Sequence, residues 1–247
     1  TAIPAGFGGG GGTTSQAVGR YRATFHGRAS HAAAAPHLAV NAADAVVVSQ
    51  VAVGLLRQQL PSDHRVAMFV AAAGQVTNII PETAVGEWEC RACTMAEDGG
   101  GFEKVATCVE EGTLATGCSV EIEETEPLYE PLVQNDVLGD LWCQALADLG
   151  YDMDRSAVLG GGSTDMGNVS RRLPSLHPWM SLPGVNIGIH PHDYATAANT
   201  DSAYEVMLHG GLAMAWTLAA LAESPAEIER LRASAEALRS GADDHAR

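Results

Sequence analysis

Four short stretches hold the residue types that proton transfer, metal binding or carboxylate binding would need. In "GRASHAAAAPH", residues 27–37, His31 follows the end of a strand-like segment and sits among small residues that leave room around its ring. Histidine is the side chain best suited to donate a proton or polarise an oxyanion near neutral pH, and on spacing alone an idle loop histidine is equally open. In "GIHPHDY", residues 188–194, His190 and His192 stand at i and i+2. On a strand that spacing points both rings to one face, a usable metal geometry, but Pro191 argues for a loop that splays them. One ligand, His190, is the expectation, against a structural histidine that binds nothing. Arg91 closes the alternating run "AVGEWECRA", where its guanidinium is either a solvated rim charge or a fork for a carboxylate. Asn78, within "TNIIP", is a turn residue by default and an amide donor to a ligand otherwise.

Two further stretches invite chemistry and support less of it. "CRAC", Cys90 to Cys93, has no second cysteine pair to complete a zinc ribbon, and Cys90 falls on the inward side of an alternating strand with Trp88. A core cysteine is expected there. "GGGSTDMGNVS", residues 160–170, lacks the spacing of a phosphate-binding loop and has no lysine. Its glycines permit close backbone approach, and Ser163, Thr164 or Asp165 can cap a following helix. With no G-x-S-x-G elbow, a serine hydrolase has no support.

The elements that must position these residues follow from periodicity. "RYRATFH", residues 20–26, alternates as a half-buried strand. Val40, Ala43, Val47, Val51 and Leu55 recur at steps of three and four, which predicts a helix packed by that stripe and stopped at Pro61. Strands are expected at 65–72 and 84–92, a helix at about 101–115, and a strand with Val120 and Ile122 inward. The order βαββαβ is that of a ferredoxin-like sandwich, one sheet with two helices on a single face. Beyond Pro127 the sequence predicts an amphipathic helix ending at Gly150, the glycine loop, a short strand "GVNIGI", a long Ala-rich helix from Ser202 to Leu221, and a charged helical tail. The expected divisions are an irregular first segment 1–19, a sandwich domain 20–126, an α/β portion 127–223 and a tail 224–247 that passes from helix to disorder. A layer so poor in strands leaves apolar helix faces uncovered and calls for more chain or a partner.

Composition narrows the partners. With 30 acidic against 14 basic residues the net charge is -16, and no basic face is available to track phosphates, so nucleic acid is not expected. Five irregularly spaced cysteines fit a reduced compartment, and a cytoplasmic location is the expectation. The apolar stretch around residues 39–60 is too interrupted to span a bilayer, and no membrane association is expected.

Taken together, "HGRASHAAAAPHLAVNAADA", "TNIIPETAVGEWECRA", "GGGSTDMGNVS" and "HPHDYATAA" resemble segments of the dinuclear-zinc amidohydrolases and peptidases that include aminoacylase and carboxypeptidase G. Four ordered motifs over residues 13–221 carry the resemblance. It implies an α/β chain made of a ferredoxin-like lid, or dimerisation, domain and the C-terminal part of a zinc-peptidase catalytic domain. His31 then corresponds to a lid histidine that stabilises an oxyanion across a homodimer, Asn78 and Arg91 to residues holding the substrate's carboxylate end, and His190 to the last zinc ligand. The implied reaction is attack by a zinc-activated water on the amide of an N-acyl or aminobenzoyl amino acid or short peptide. The family's remaining ligands for its two zinc ions, and its general base, precede the lid and have no counterpart in residues 1–19, which contain no His, Asp or Glu. Ala39 stands where a glycine is usual, and Arg171 where a histidine often follows the loop. A fragment that needs an N-terminal half is therefore expected; the alternative is a non-catalytic dimerisation or carboxylate-binding module.

Overall fold

Residues 4–6, 15–92, 101–154, 162–185 and 190–240 are described by the computed structural model, in two units: residues 16–130, and residues 1–15 with 131–247. Cys93, the first two glycines of the loop, most of the expected strand "GVNIGI" and the last seven residues lie outside the described residues. The chain starts with β1 (Pro4–Gly6), part of the second unit, and then runs through the whole of the first.

That first unit consists of β2 (Ala17–His26), β3 (Ser30–His31), α1 (Ala42–Leu56), β4 (Arg65–Ala72), β5 (Ile79–Ile80), β6 (Thr83–Ala92), α2 (Gly101–Thr116) and β7 (Ser119–Tyr129). The four long strands form one antiparallel sheet in the order β4–β6–β2–β7, the ferredoxin-like arrangement expected from the sequence. Alternation decides the faces. Ala23 and Phe25 of β2 and Ala84, Trp88 and Cys90 of β6 are buried in one core with Val46 and Val53 of α1 and Val105 and Val109 of α2. The opposite face carries Arg20, Arg22, Glu87, Glu89 and Arg91, paired across strands as Arg20 with Glu89 and Arg22 with Glu87.

Helix α1 corrects one expectation. Its buried residues are Ala42, Ala45, Val46, Ser49 and Val53, whereas Val47, Val51 and Leu55 are 55%, 58% and 70% exposed. The helix is apolar around most of its circumference, so periodicity could not choose the face; close packing did. A Cβ at Gly112 of α2 would lie 2.4 Å from Ser49 Oγ and 2.5 Å from the Ala45 carbonyl oxygen, so only the small-residue face of α1 lets the two helices meet. Ser49 Oγ, fully buried, shares its one proton between the carbonyls of Ala45 at 2.8 Å and Val109 at 3.0 Å, joining the helices where they cross.

The second unit adds α3 (Asp136–Asp148), β8 (Asp152–Asp154), α4 (Met166–Ser170), β9 (Trp179–Met180), α5 (His192–Ala198), α6 (Asp201–Glu223) and α7 (Pro225–Arg239). Its sheet has three strands in the order β8–β1–β9, with β1 parallel to β8 and antiparallel to β9. Asn135 caps α3 by accepting from Leu138 N at 3.1 Å, and Trp142, Ala145 and Leu146 of α3 pack with Tyr151 and with Ala213 of α6. Helix α6 is also the one described helix long and apolar enough, by length and composition, to cross a membrane; 17% of that window is buried.

Candidate functional site

The loop that carries His31 is built by close approach. A Cβ on Gly27 would lie 2.1 Å from the Val40 carbonyl oxygen, so only glycine lets residues 27–28 run against residue 40. Arg28 and Val40 then exchange backbone hydrogen bonds of 2.8 and 2.9 Å, and Arg28 Nε donates to the Leu38 carbonyl at 2.6 Å. Inside this clamp Ser30 Oγ donates to the Ala35 carbonyl at 2.7 Å, and β3 pairs with β5, setting His31 opposite Ile79.

The pairing brings His31 and Asn78 into one loop cluster. Ala32 N donates to the Asn78 carbonyl at 2.9 Å, and both residues are exposed. The imidazole is fixed by its own backbone: Nδ1 accepts from Ala33 N at 3.2 Å and from Ala34 N at 3.1 Å. A backbone N–H can only donate, so Nδ1 is the bare nitrogen and the ring proton sits on Nε2. His31 therefore presents an N–H outward. That suits it to stabilise developing negative charge on an oxygen.

Arg91 lies elsewhere in the same unit. The His31 loop adjoins the beginning of β6, where Gly27 N donates to the Glu82 carbonyl at 2.8 Å, while Arg91 is next to last in that strand. Eight residues at about 3.3 Å each separate Thr83 from Arg91, roughly 26 Å along the strand. Within one unit, Asn78 and Arg91 therefore lie near opposite ends of β6. Arg91 is half-buried and its Nε donates to Glu89 Oε1 at 2.6 Å. Arg20 Nε binds the other oxygen, Glu89 Oε2, at 2.7 Å, and its Nη1 reaches Glu126. Burial works to raise the Glu89 carboxyl, but the hydrogen bonds from Arg91 and Arg20 outweigh it and hold the group below its usual range. Arg20 and Glu89 were not singled out from the sequence; the signal was there in the facing alternations "GRYR" and "EWECR".

His190 occupies a bend with φ of 88°, the one non-glycine residue with positive φ among the described residues, and it is exposed. Pro191 is the N-cap of α5 and His192 its first residue, so the two rings do not share a strand face. Among the described residues no three His, Cys, Asp or Glu side chains converge to hold a metal ion. The described residues do not fit a dinuclear metal unaided. In the glycine loop, Thr164 Oγ1 accepts from Met166 N at 3.3 Å while Asp165, the N-cap of α4, makes no side-chain cap. Cys90 is buried against the helices, and that burial, with the Glu89 charge second, pushes its thiol up to about 12, which leaves it unreactive as a core residue.

Comparison with known proteins agrees with this architecture. Residues 14–113 match the M20 family model described as a peptidase dimerisation domain. The lid belongs to that family. The whole chain is also 35% identical over 211 residues to the Xaa-Arg dipeptidase of Mus musculus, covering 84% of itself and 49% of that protein. It therefore spans about half the length of this curated relative. Among solved structures, a dinuclear metal-binding peptidase of the M20 family from Bacillus subtilis superposes with a TM-score of 0.57 at 18% identity, over 88% of this chain and 54% of the other. An aminobenzoyl-glutamate utilization protein from Klebsiella pneumoniae gives 0.51 at 20% identity, over 66% and 41%. At such identities the likeness is one of fold.

Proposed function

We propose that this chain supplies the lid and the C-terminal part of an M20-type hydrolase that cleaves an amide bond in an N-acyl amino acid or dipeptide bearing a free carboxylate. The observation that carries the reading is the His31 ring, fixed by two backbone donors so that Nε2–H faces outward beside Asn78. In this reading His31 donates to the oxyanion of the tetrahedral intermediate, Asn78 orients the substrate, and Arg91 binds its carboxylate as a guanidinium fork. The relative's name supports a dipeptide ending in arginine as the first substrate to try. A divalent metal, with zinc the first choice, would activate the attacking water, and His190 is the residue here suited to ligate it. Catalytic zinc takes about three protein ligands, so we propose that the others come from polypeptide outside the described residues and that this chain alone is nearly inactive.

The two ends of β6 bear on assembly. His31 and Asn78 at one end and Arg91 at the other serve one substrate if two lids pair and each lends an end to the other's site. Val47, Val51 and Leu55 on α1, and Phe69 and Val70 on edge strand β4, form exposed apolar surface suited to such a homodimer. The four described cysteines are all free, which supports a reducing, cytoplasmic setting.

The test is metal analysis and turnover of the purified chain. Sub-stoichiometric zinc and negligible hydrolysis of an Ala-Arg dipeptide are expected of the chain alone, and stoichiometric zinc with turnover when the half of a relative that this chain does not span is added. Tight stoichiometric zinc with turnover by the chain alone would overturn the claim that other residues are needed.

A further inference from the structure

The core of the lid is incomplete on one side. Val120 of β7 packs against it, but Ile122, two residues on and expected inward, does not join it and is 36% exposed. Helix α2 meets the sheet there through Ala106, whose methyl is too short to close the gap. A pocket of about 190 Å³ is left between sheet and helix, walled by Tyr21, Trp88, Phe102, Ala106 and Ile122, with exposed Glu103 at its rim.

Two glycines inside the strands shape this pocket. A Cβ on Gly86 would lie 2.2 Å from Trp88 Cη2, so glycine there lets the indole lie back along β6. A Cβ on Gly19 would lie 2.9 Å from Phe102 Cε1 and 3.0 Å from the Tyr21 hydroxyl. Glycine weakens a strand, and inside one it often marks a place kept open for a close approach. The rings are held edge to face, Tyr21 on Phe102 and Phe25 on Trp88, each pair with centroids 6.4 Å apart. Aromatic packing thus fixes the walls.

One polar atom says what belongs inside. Trp88 is 2% exposed, and its Nε1 is buried without a hydrogen-bond partner. An indole nitrogen can only donate, and native folds seldom leave a buried donor unpaired, so the occupant must bring an acceptor. A cation is repelled by the positive end of that N–H. An anion meets Glu103 at the rim, no Lys or Arg among the described lining residues, and a chain of net charge -16. Water is the weaker neutral occupant, because buried water usually makes about three hydrogen bonds and these walls are mostly hydrocarbon. An apolar cavity of about 150 Å³ takes up benzene, so 190 Å³ has room for one ring and a small substituent.

We propose that this pocket is a binding site for a small uncharged molecule, with an apolar body of about benzene size and one carbonyl oxygen that accepts from Trp88 Nε1–H. The site is separate from the residues of the hydrolytic reading and does not depend on it: Arg91 lies on the opposite face of the sheet, and His31 in the loop that follows β2.

The experiment titrates the full chain, labelled with nitrogen-15, with acetophenone, ethylbenzene or benzoate, and follows the indole N–H signals of its four tryptophans. The Trp88 signal is assigned by its loss in Trp88→Phe. Acetophenone is expected to bind with a dissociation constant below about 1 mM and to move the Trp88 proton downfield as the hydrogen bond forms. Ethylbenzene, of the same shape without the oxygen, should enter without that displacement, and benzoate should leave the signal unmoved. Ala106→Leu fills the pocket and should weaken acetophenone at least about five-fold; Trp88→Phe should do the same through the lost hydrogen bond while sparing ethylbenzene. If Trp88→Phe unfolds the lid, the three ligands on the parent and Ala106→Leu still decide. No saturable displacement by acetophenone, an equal one by ethylbenzene, benzoate bound as tightly, or binding indifferent to Ala106→Leu would each overturn the site. So would a slowly exchanging water at the Trp88 N–H that acetophenone fails to displace.

Discussion

Gly27→Ala probes the path from backbone packing to the His31 ring. The added methyl would stand 2.1 Å from the Val40 carbonyl oxygen and 3.3 Å from Ala42 N. An oxygen that close must retreat by about 1 Å, and overpacking of this kind costs typically 1–3 kcal/mol. The retreat also strains the two backbone hydrogen bonds between Arg28 and Val40, at about 1 kcal/mol each if lost. The substitution should therefore destabilise the lid by roughly 1–5 kcal/mol, the upper end if both hydrogen bonds are lost. Urea unfolding followed by Trp88 fluorescence, Trp88 being buried in that unit's core, reads the stability. Nitrogen-15 spectra of the histidine rings read the site: in the parent, His31 should show a bare Nδ1 and a protonated Nε2. In Gly27→Ala the ring should become a mixture of tautomers as the 31–35 turn loosens. A variant within about 0.5 kcal/mol of the parent, or an unchanged His31 spectrum despite lost stability, would refute the coupling of the clamp to the ring.

Three further outcomes are expected. His190→Gly should raise the urea unfolding free energy of the second unit by about 1 kcal/mol, because glycine accepts a φ of 88° without strain, whereas His190→Ala should not; equal stabilities for the two would show that no strain is held there. Glu89→Gln should destabilise the lid at pH 7, and the difference should shrink in acid: the folded carboxyl is held below its usual range, so its contribution is full above the unfolded pKa and is lost as pH falls through the folded one. A gap that widens below pH 4 would contradict this sign. Cys90 should resist iodoacetamide at pH 8 in the native protein and react on unfolding, as mass spectrometry of the labelled peptide would show; rapid native labelling would count against its burial.

The sandwich was legible because its strands are half-buried and half-wet, so period-two alternation in "RYRATFH" and "GEWECRA" states both the element and its inner face. Helix α1 was legible as a helix and not as a face: with valines on every side, the choice fell to Ala45 and Ser49, whose small size matters only once Gly112 arrives from far downstream. The same limit applies to the site. His31 could be named from its neighbours, but the two alanine amides that fix its proton come from the turn it makes. That Arg91 and Asn78 part company along β6 requires knowing that the strand continues unbroken between them. His190 was read as a loop ligand because of Pro191, and its positive φ had no signature in the sequence.

The strand β1 comes before the lid in the chain yet pairs with β8 and β9 after it. Ser15 Oγ accepts from Leu132 N at 3.0 Å, so the points where the polypeptide leaves and rejoins its second unit are within one hydrogen bond of each other. Inside the sandwich the same closure appears as Val18 registered with Tyr129. Such a pair of neighbouring ends makes the intervening 115 or so residues a removable cassette, which a two-residue bridge could replace. An ancestor or an engineer could exchange it for another pairing module while leaving the remaining layer's strand order untouched.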